Sequence, residues 1–246
     1  MRTKRLRIFA GPNGSGKSTI YNNLITTGDL NFGIFVNADD IEKTMKLAGR
    51  LNFSNYGIAL NIDDFCQSYC DSKFYKLGNG DKIISILSNC YDELIIADKN
   101  LVNSYFTAFI ADYIRVIMLD FVDVFTVETV MSHPSKLEYI KLAKSKGYRV
   151  YLYFVSTCDA TINISRVAYR VGTGGHDVPS NKIISRYTKS LENLYDAMRL
   201  SDRAYVFDNS DSEKPIWYVE YTDGEVTINE DSIPKWIDDY LICKLR

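Results

Sequence analysis

The chain has 246 residues, of which 46% are hydrophobic and 24% are charged, proportions typical of a globular protein with a hydrophobic core of its own. The 29 Lys and Arg residues nearly balance the 31 Asp and Glu residues, so the net charge of −2 gives no general attraction to nucleic acid or anionic lipid. No apolar run approaches the roughly 20 residues that a membrane span needs, and no membrane association is expected.

The five cysteines are irregularly spaced and the chain has two histidines, a pattern that does not indicate a Cys/His metal site. An odd number of cysteines suits a reducing compartment. No signal peptide precedes the first predicted strand, so we expect a cytoplasmic protein.

The N-terminal segment predicts alternating strands and helices. In chain order these are a buried strand over 6–10, a glycine-rich turn over 11–16, a helix over 17–27, a strand over 34–36, and a helix that begins within 37–40 and runs to about Gly49. Residues 51–121 are less regular. Helical patterns occur over 58–69 and 104–117, whereas 85–97 fits a helix or a strand. We interpret this stretch as an inserted substrate- or partner-binding region within one domain.

Regular alternation resumes in the second half of the chain. In order, the pattern predicts a strand over 122–127 that ends at Glu128, a helix over 134–146, a strand over 148–156, a helix over 159–170, a glycine-rich break over 172–179, a helix over 181–200, a strand over 204–207, a hairpin over 216–228 and a helix over 233–243. The whole pattern predicts an α/β fold with a mostly parallel sheet, helices on both faces, and a C-terminal β-hairpin and helix.

One segment matches the phosphate-loop pattern G-x-x-x-x-G-K-[ST] in full, between an apolar strand and a helix. Its residues are Gly11, Pro12, Asn13, Gly14, Ser15, Gly16, Lys17, Ser18 and Thr19. The glycines let backbone N–H groups point at phosphate oxygens, while Lys17 would reach the β- and γ-phosphates and Ser18 would ligate Mg²⁺. The motif predicts a P-loop NTPase-type fold that binds ATP with Mg²⁺, and it leaves the reaction open.

Carboxylates at the ends of predicted strands are candidates for the chemistry. Asp39 follows the second strand, where it could accept a proton from an acceptor hydroxyl; the alternative is that it caps the following helix. Asp40 fits a cap or a helper. Glu128 fits either a Walker-B-type acid near the metal or a contact to a substrate hydroxyl, with a helix-start acid as the structural alternative.

Cationic side chains cluster around the glycine-rich break. Arg166 and Arg170 are four residues apart on one predicted helix face, which suits a lid over the transferring phosphate, although such a pair could also form surface salt bridges. Arg186 is a third candidate. His176 lies in the break and is interpreted as a hinge or substrate-contact residue.

These motifs together resemble the zeta-toxin family of P-loop kinases, specifically its chromosomal zeta-like branch. The resembling pieces occur in family order at residues 11–19, 36–39, 127–129, 147–150 and 163–193. They cover roughly the first forty residues and those from about 122 to 207. The stretch from about 51 to 122 is longer than the family usually has between its Asp and Glu motifs.

The resemblance implies ATP-dependent phosphorylation of a small hydroxyl-bearing metabolite, which for well-known family members is a UDP-N-acetylhexosamine. It also implies an antitoxin protein as a partner. Asp39 would be the base, Lys17 and Ser18 would hold phosphate and Mg²⁺, and Arg166 and Arg170 would be lid cations. Glu128, and with it Thr129 and His176, would face the substrate.

Two other functions fit the same loop. A polynucleotide or RNA-end kinase would need a basic groove, which the near-neutral charge disfavours. A nucleotide-gated interaction protein without kinase activity would use the inserted region as a partner surface.

Overall fold

The structure is a computed structural model, and it describes residues 3–28, 30–173, 177–211 and 214–246. Its strands are β1 (Arg5–Ala10), β2 (Ile34–Val36), β3 (Arg50–Asn52), β4 (Leu87–Cys90), β5 (Glu93–Ile96), β6 (Val124–Thr129), β7 (Arg149–Ser156), β8 (Arg203–Asp208), β9 (Ile216–Thr222) and β10 (Glu225–Ile228). Its α-helices are α1 (Lys17–Thr26), α2 (Ala38–Ala48), α3 (Ile62–Asp71), α4 (Lys73–Leu77), α5 (Gly80–Ile84), α6 (Ser104–Phe121), α7 (Ser135–Ser145), α8 (Ala160–Gly172), α9 (Ser180–Glu192), α10 (Leu194–Leu200) and α11 (Lys235–Tyr240).

The chain divides into two compact units. The first unit comprises Met1–Gly33 and Thr126–Arg246, and the second unit comprises Ile34–Phe125. The phosphate loop, Glu128 and the three arginines predicted from the sequence all belong to the first unit, whereas Asp39 belongs to the second.

The sheet of the first unit has the strand order β10-β9-β8-β7-β1-β6. Strand β7 pairs in parallel with β1 on one side and with β8 on the other. Strands β8, β9 and β10 are joined by antiparallel pairing, which confirms the predicted C-terminal hairpin. The predicted α/β fold is confirmed, and β1 lies inside the sheet with the phosphate loop at its carboxyl end.

Helices pack on both faces of this sheet. Successive side chains of β7 point to opposite faces, so neighbouring residues contact different helices. On one face, Tyr153 packs in a buried cluster with Phe9 of β1 and Ile20 of α1. The rings of Phe9 and Tyr153 stack with centroids 4.7 Å apart. On the other face, Phe154 contacts the buried indole of Trp236 from α11. An aromatic pair contributes about 0.5–1.5 kcal/mol beyond its buried area, so the elements on either side of the phosphate loop are firmly anchored.

The second unit combines helices with an antiparallel sheet of order β3-β5-β4. Its core is aromatic, and Phe65 makes edge-to-face contacts with Phe53, Phe109 and Tyr113. The stretch 85–97, which fits a helix or a strand by pattern, forms the hairpin β4–β5. The helical alternative is therefore wrong, and the turn places Tyr91 in the left-handed region with φ of 51°.

Two predicted helices are shorter in the structure. The segment 181–200 forms two helices, α9 and α10, which meet at Asn193, and the Asn193 carboxamide donates to the carbonyl of Met131 over 2.8 Å. The C-terminal helix α11 ends at Tyr240 and is followed by a 3-10 turn. Within the described ranges, no helix combines the length and apolarity required to cross a bilayer.

Candidate functional site

The phosphate loop connects the end of β1 to the start of α1. Gly16 precedes α1 in the left-handed region, with φ of 93°. No side chain caps this helix start, and its first turn carries no acidic residue. The N–H groups at a helix start attract anions, so this terminus is built to receive phosphate.

Three glycines give the loop its curvature. The φ angles of Gly11, Gly14 and Gly16 are 137°, 74° and 93°, values that residues with a Cβ rarely adopt. A Cβ on Gly11 would lie 1.9 Å from the carbonyl oxygen of Val155 in β7. The loop therefore packs directly against the neighbouring strand at Gly11, where there is no room for a side chain.

We expect Gly16→Ala to weaken ATP binding at least roughly tenfold, which corresponds to about 1.4 kcal/mol. The new Cβ would lie 2.1 Å from Nδ2 of Asn209, so the loop must shift. Gly28→Ala is the matched control, since Gly28 has φ of 73° and its Cβ would meet no atom within 4 Å. Titration calorimetry with ATP would compare the two variants; equal ATP affinity in both would contradict this reading of Gly16.

Lys17 is buried, with 6% of its surface exposed. Its Nζ donates to the carbonyl oxygens of Gly11 at 3.0 Å and Pro12 at 2.9 Å. The same Nζ lies 3.8 Å from Oε1 of Glu128. The ammonium group is therefore held at the mouth of the loop in a partly desolvated setting, where its attraction to phosphate is stronger than in water.

Glu128 contacts both Lys17 and Ser18 of the phosphate loop. Besides its ion pair with Lys17, its Oε2 accepts a hydrogen bond of 3.0 Å from the Ser18 hydroxyl. This contact favours a Walker-B-type acid over a contact to substrate, because Ser18 is the predicted Mg²⁺ ligand. Strand β6 ends at Thr129, one residue after the predicted end at Glu128. The adjacent Thr129 hydroxyl accepts from the N–H of Met131 at 3.4 Å.

The three arginines have different surroundings. Arg166 donates to the carbonyl oxygens of Asn209 at 2.7 Å and Asp211 at 3.3 Å, so its guanidinium group holds the segment after β8. Arg186 donates to Oδ1 of Asn13 at 3.3 Å and thus contacts the phosphate loop itself. Arg170 is half-buried one turn after Arg166 on α8. His176 lies outside the described residues.

Asn163 and Asn209 also contact the phosphate loop, and no sequence motif predicts either of them as a site residue. Asn163 on α8 donates to the carbonyl of Asn13, and Asn209 after β8 donates to the carbonyl of Ser15. The position of Asn209 at a strand end was a usable signal, since ligand sites collect at such ends. Asn163 carries no comparable signal, because an isolated Asn in a helix is usually a surface residue.

The second unit contains the predicted base. Asn37 caps α2, since its side chain accepts a hydrogen bond of 3.0 Å from the N–H of Asp39. The interpretation of Asp39 or Asp40 as the cap is therefore wrong; both lie in the first turn. Burial and the neighbouring charge of Asp39 raise the pKa of Asp40, and Lys43 opposes this. Burial and the charge of Asp40 raise the pKa of Tyr56 to about 12.

Comparison with known proteins gives a fold. No protein-family model and no curated sequence matches the chain. A chain of the AvrRxo1-ORF1:AvrRxo1-ORF2 complex with sulphate ions aligns with 92% of this chain, with a TM-score of 0.57 and 15% identity. A chain of the same complex with ATP gives 0.55 and 16% over the same share. A chain from the PezAT chromosomal toxin–antitoxin system of Streptococcus pneumoniae gives 0.54 and 13% over 98% of this chain and 80% of that one.

This chain shares their fold. It spans 61% of the length of the AvrRxo1 chains. The resemblance to zeta-toxin P-loop kinases, which the motifs indicate, is thereby confirmed at the level of the fold. The helix and strand that flank the phosphate loop lie where a P-loop fold requires them.

Proposed function

We propose that the protein is an ATP-dependent phosphotransferase of zeta-toxin type, which phosphorylates a hydroxyl group of a small metabolite. The observation that carries the proposal is the position of Glu128. Its carboxylate contacts both Lys17 and Ser18, beside a loop whose three glycines leave no room for a Cβ. A phosphate loop whose Lys and Ser side chains contact a carboxylate is typical of sites that transfer a phosphoryl group from a nucleoside triphosphate.

The residues fit ATP and Mg²⁺. The uncapped start of α1 and the buried ammonium of Lys17 supply positive potential for the phosphates. The Ser18 hydroxyl and the Glu128 carboxylate are the oxygen donors that Mg²⁺ prefers, and they already lie 3.0 Å apart. When bound, the ion neutralises charge on the phosphate oxygens. Arg186 and Arg170 are the side chains that we assign to the developing charge on the γ-phosphoryl group.

Asp39 is the base in this proposal. It accepts the proton of the acceptor hydroxyl while the hydroxyl oxygen forms a bond to the γ-phosphorus and the bond to the β-phosphate oxygen breaks, so that ADP leaves. Because Asn37 takes the capping role on α2, capping does not explain the presence of Asp39. A carboxylate in this role typically contributes about 10²–10⁴-fold to the rate.

The acceptor and the partner follow from resemblance alone. We propose a UDP-N-acetylhexosamine-like acceptor bound with the help of the stretch 51–121, and an antitoxin protein as partner, since two of the similar folds come from toxin–antitoxin or two-component complexes. A cytoplasmic location would supply ATP and keep the five free thiols reduced.

A transfer assay with γ-labelled ATP tests the proposal. The acceptors are UDP-sugars, nucleosides and 5′-hydroxyl RNA, with the Lys17→Ala variant as the blank. We expect label on a UDP-sugar. Label on RNA instead would establish the polynucleotide-kinase alternative. Tight ATP binding without transfer to any acceptor would favour the nucleotide-gated interaction protein.

A further inference from the structure

Two asparagine carboxamides donate hydrogen bonds to backbone carbonyls of the phosphate loop. Asn163 is fully buried, and its Nδ2 donates to the carbonyl oxygen of Asn13 at 2.6 Å. Asn209 is 8% exposed, and its Nδ2 donates to the carbonyl oxygen of Ser15 at 2.8 Å. The two accepting carbonyls belong to alternate residues of the loop.

Each of these hydrogen bonds also fixes the direction of the N–H group in the same peptide unit. The peptide groups of the described residues are trans, so the carbonyl of one residue and the N–H of the next point in opposite directions. The hydrogen bond that holds the carbonyl of Asn13 toward Asn163 therefore directs the N–H of Gly14 away from Asn163. In the same way, the hydrogen bond that holds the carbonyl of Ser15 toward Asn209 directs the N–H of Gly16 away from Asn209.

Both asparagines are held in place by further hydrogen bonds. The Oδ1 atom of Asn163 accepts from the Thr157 hydroxyl, which fixes which end of its amide faces the loop. The backbone of Asn209 is tied at two points, since its N–H donates to Ser156 at 2.7 Å and its carbonyl accepts from Arg166 at 2.7 Å. The Asn163 carboxamide therefore cannot turn without breaking a second hydrogen bond, whereas Asn209 is held in place through its backbone.

The glycines of the loop are shaped for this approach. A Cβ on Gly14 would lie 2.6 Å from the carbonyl oxygen of Asn163, and a Cβ on Gly16 would lie 2.1 Å from Nδ2 of Asn209. Each asparagine thus occupies the space that a side chain on the adjacent glycine would fill. Glycine at these two positions serves the close approach of asparagine as well as the curvature of the loop.

We infer that Asn163 and Asn209 are positioning residues that aim the N–H groups of Gly14 and Gly16 at the nucleotide phosphates. The inference rests on the nucleotide-binding part of the proposed function. Arg166 supports Asn209 indirectly, because its guanidinium group donates to the backbone carbonyl of Asn209. This role differs from that of a lid cation.

Amide NMR of the full chain tests the inference at single residues. In the wild type, ATP should move the amide protons of Gly14 and Gly16 downfield, as hydrogen bonds to phosphate do. Asn163→Ala should abolish the shift of Gly14 and keep that of Gly16, and Asn209→Ala should give the reverse pattern. Each variant should also bind ATP roughly tenfold more weakly, as expected for one misdirected hydrogen bond.

Asn193→Ala is the matched control, because it removes an asparagine-to-carbonyl hydrogen bond of the same kind, at 2.8 Å, remote in sequence from the loop. Its glycine shifts should equal those of the wild type. If an alanine variant does not fold, Asn→Asp keeps the side-chain size and removes the donor. In the wild type itself, ADP must move both amides and adenosine must not.

Shifts of both glycines that persist in both variants would overturn the inference and leave the kinase proposal intact. Loss of both shifts together in each single variant would reduce the asparagines to a general structural role. Failure of transfer with normal shifts would instead count against the proposed function alone.

Discussion

Replacing Asp39 with Asn is expected to lower the rate of phosphoryl transfer by about 10²–10⁴-fold while ATP affinity changes by less than about twofold. The amide keeps the size of the side chain but accepts a proton from the acceptor hydroxyl far less readily. Asn37 still caps α2 in this variant, because the cap uses the backbone N–H of residue 39 and not its side chain. Initial rates with saturating ATP, together with calorimetric ATP binding, measure the two effects separately.

Asp40→Asn is the control for this prediction. Asp40 lies in the same helical turn and carries the same charge, but burial and Asp39 raise its pKa. We expect Asp40→Asn to retain most of the transfer activity. Unchanged transfer in Asp39→Asn would remove Asp39 from the mechanism, and loss of transfer in Asp40→Asn alone would reassign the base to Asp40.

Replacing Lys17 with Ala should reduce ATP affinity about 100-fold or more and remove detectable transfer. The change deletes a buried ammonium that the carbonyls of Gly11 and Pro12 hold at the mouth of the loop. Hydrogen bonds to charged groups contribute about 1.5–3 kcal/mol each, and the lysine would make more than one to phosphate. Calorimetry with ATP and the labelled transfer assay give both quantities.

Lys17→Ala should also lower the stability of the nucleotide-free protein. The Glu128 side chain is 13% exposed and would lose the ammonium 3.8 Å away, so Lys17→Ala should lower the free energy of unfolding by about 1–3 kcal/mol. Adding Glu128→Gln should recover part of this loss without restoring ATP binding. Lys141→Ala is the control, since its exposed ion pair with Glu138 should contribute little. Wild-type ATP affinity in Lys17→Ala would exclude this loop as the nucleotide site.

The local parts of the site were predictable from the sequence. The phosphate loop, the strand before it and the helix after it are contiguous, and each glycine has a role that follows from backbone geometry. The second strand agrees with its predicted range of 34–36. The pattern also correctly indicated the C-terminal hairpin around Asp223 and Gly224, because those residues favour the positive φ angles that the turn requires.

Contacts between distant segments were not predictable. Spacing places Arg166 and Arg170 on one helix face, but it does not reveal that the Arg166 guanidinium is engaged by the carbonyls after β8. Asn163 and Asn209 reach the loop from 150 and 194 residues away, and no local pattern encodes a partner at that distance. The sequence left the stretch 85–97 open between a helix and a strand for another reason. Its apolar run is too short for periodicity to distinguish the two.

The separation of 194 residues between Ser15 and Asn209 has a consequence for biosynthesis. The phosphate loop is among the first segments to leave the ribosome, yet the carboxamide that holds the carbonyl of Ser15 is translated near the end of the chain. Strand β7, which pairs with β1, is also made more than a hundred residues later. A nascent chain that stops short of residue 209 therefore contains the complete phosphate-loop motif but lacks the hydrogen bond from Asn209 to Ser15. Competence to bind nucleotide should thus arise late in synthesis, after the distant strands have paired.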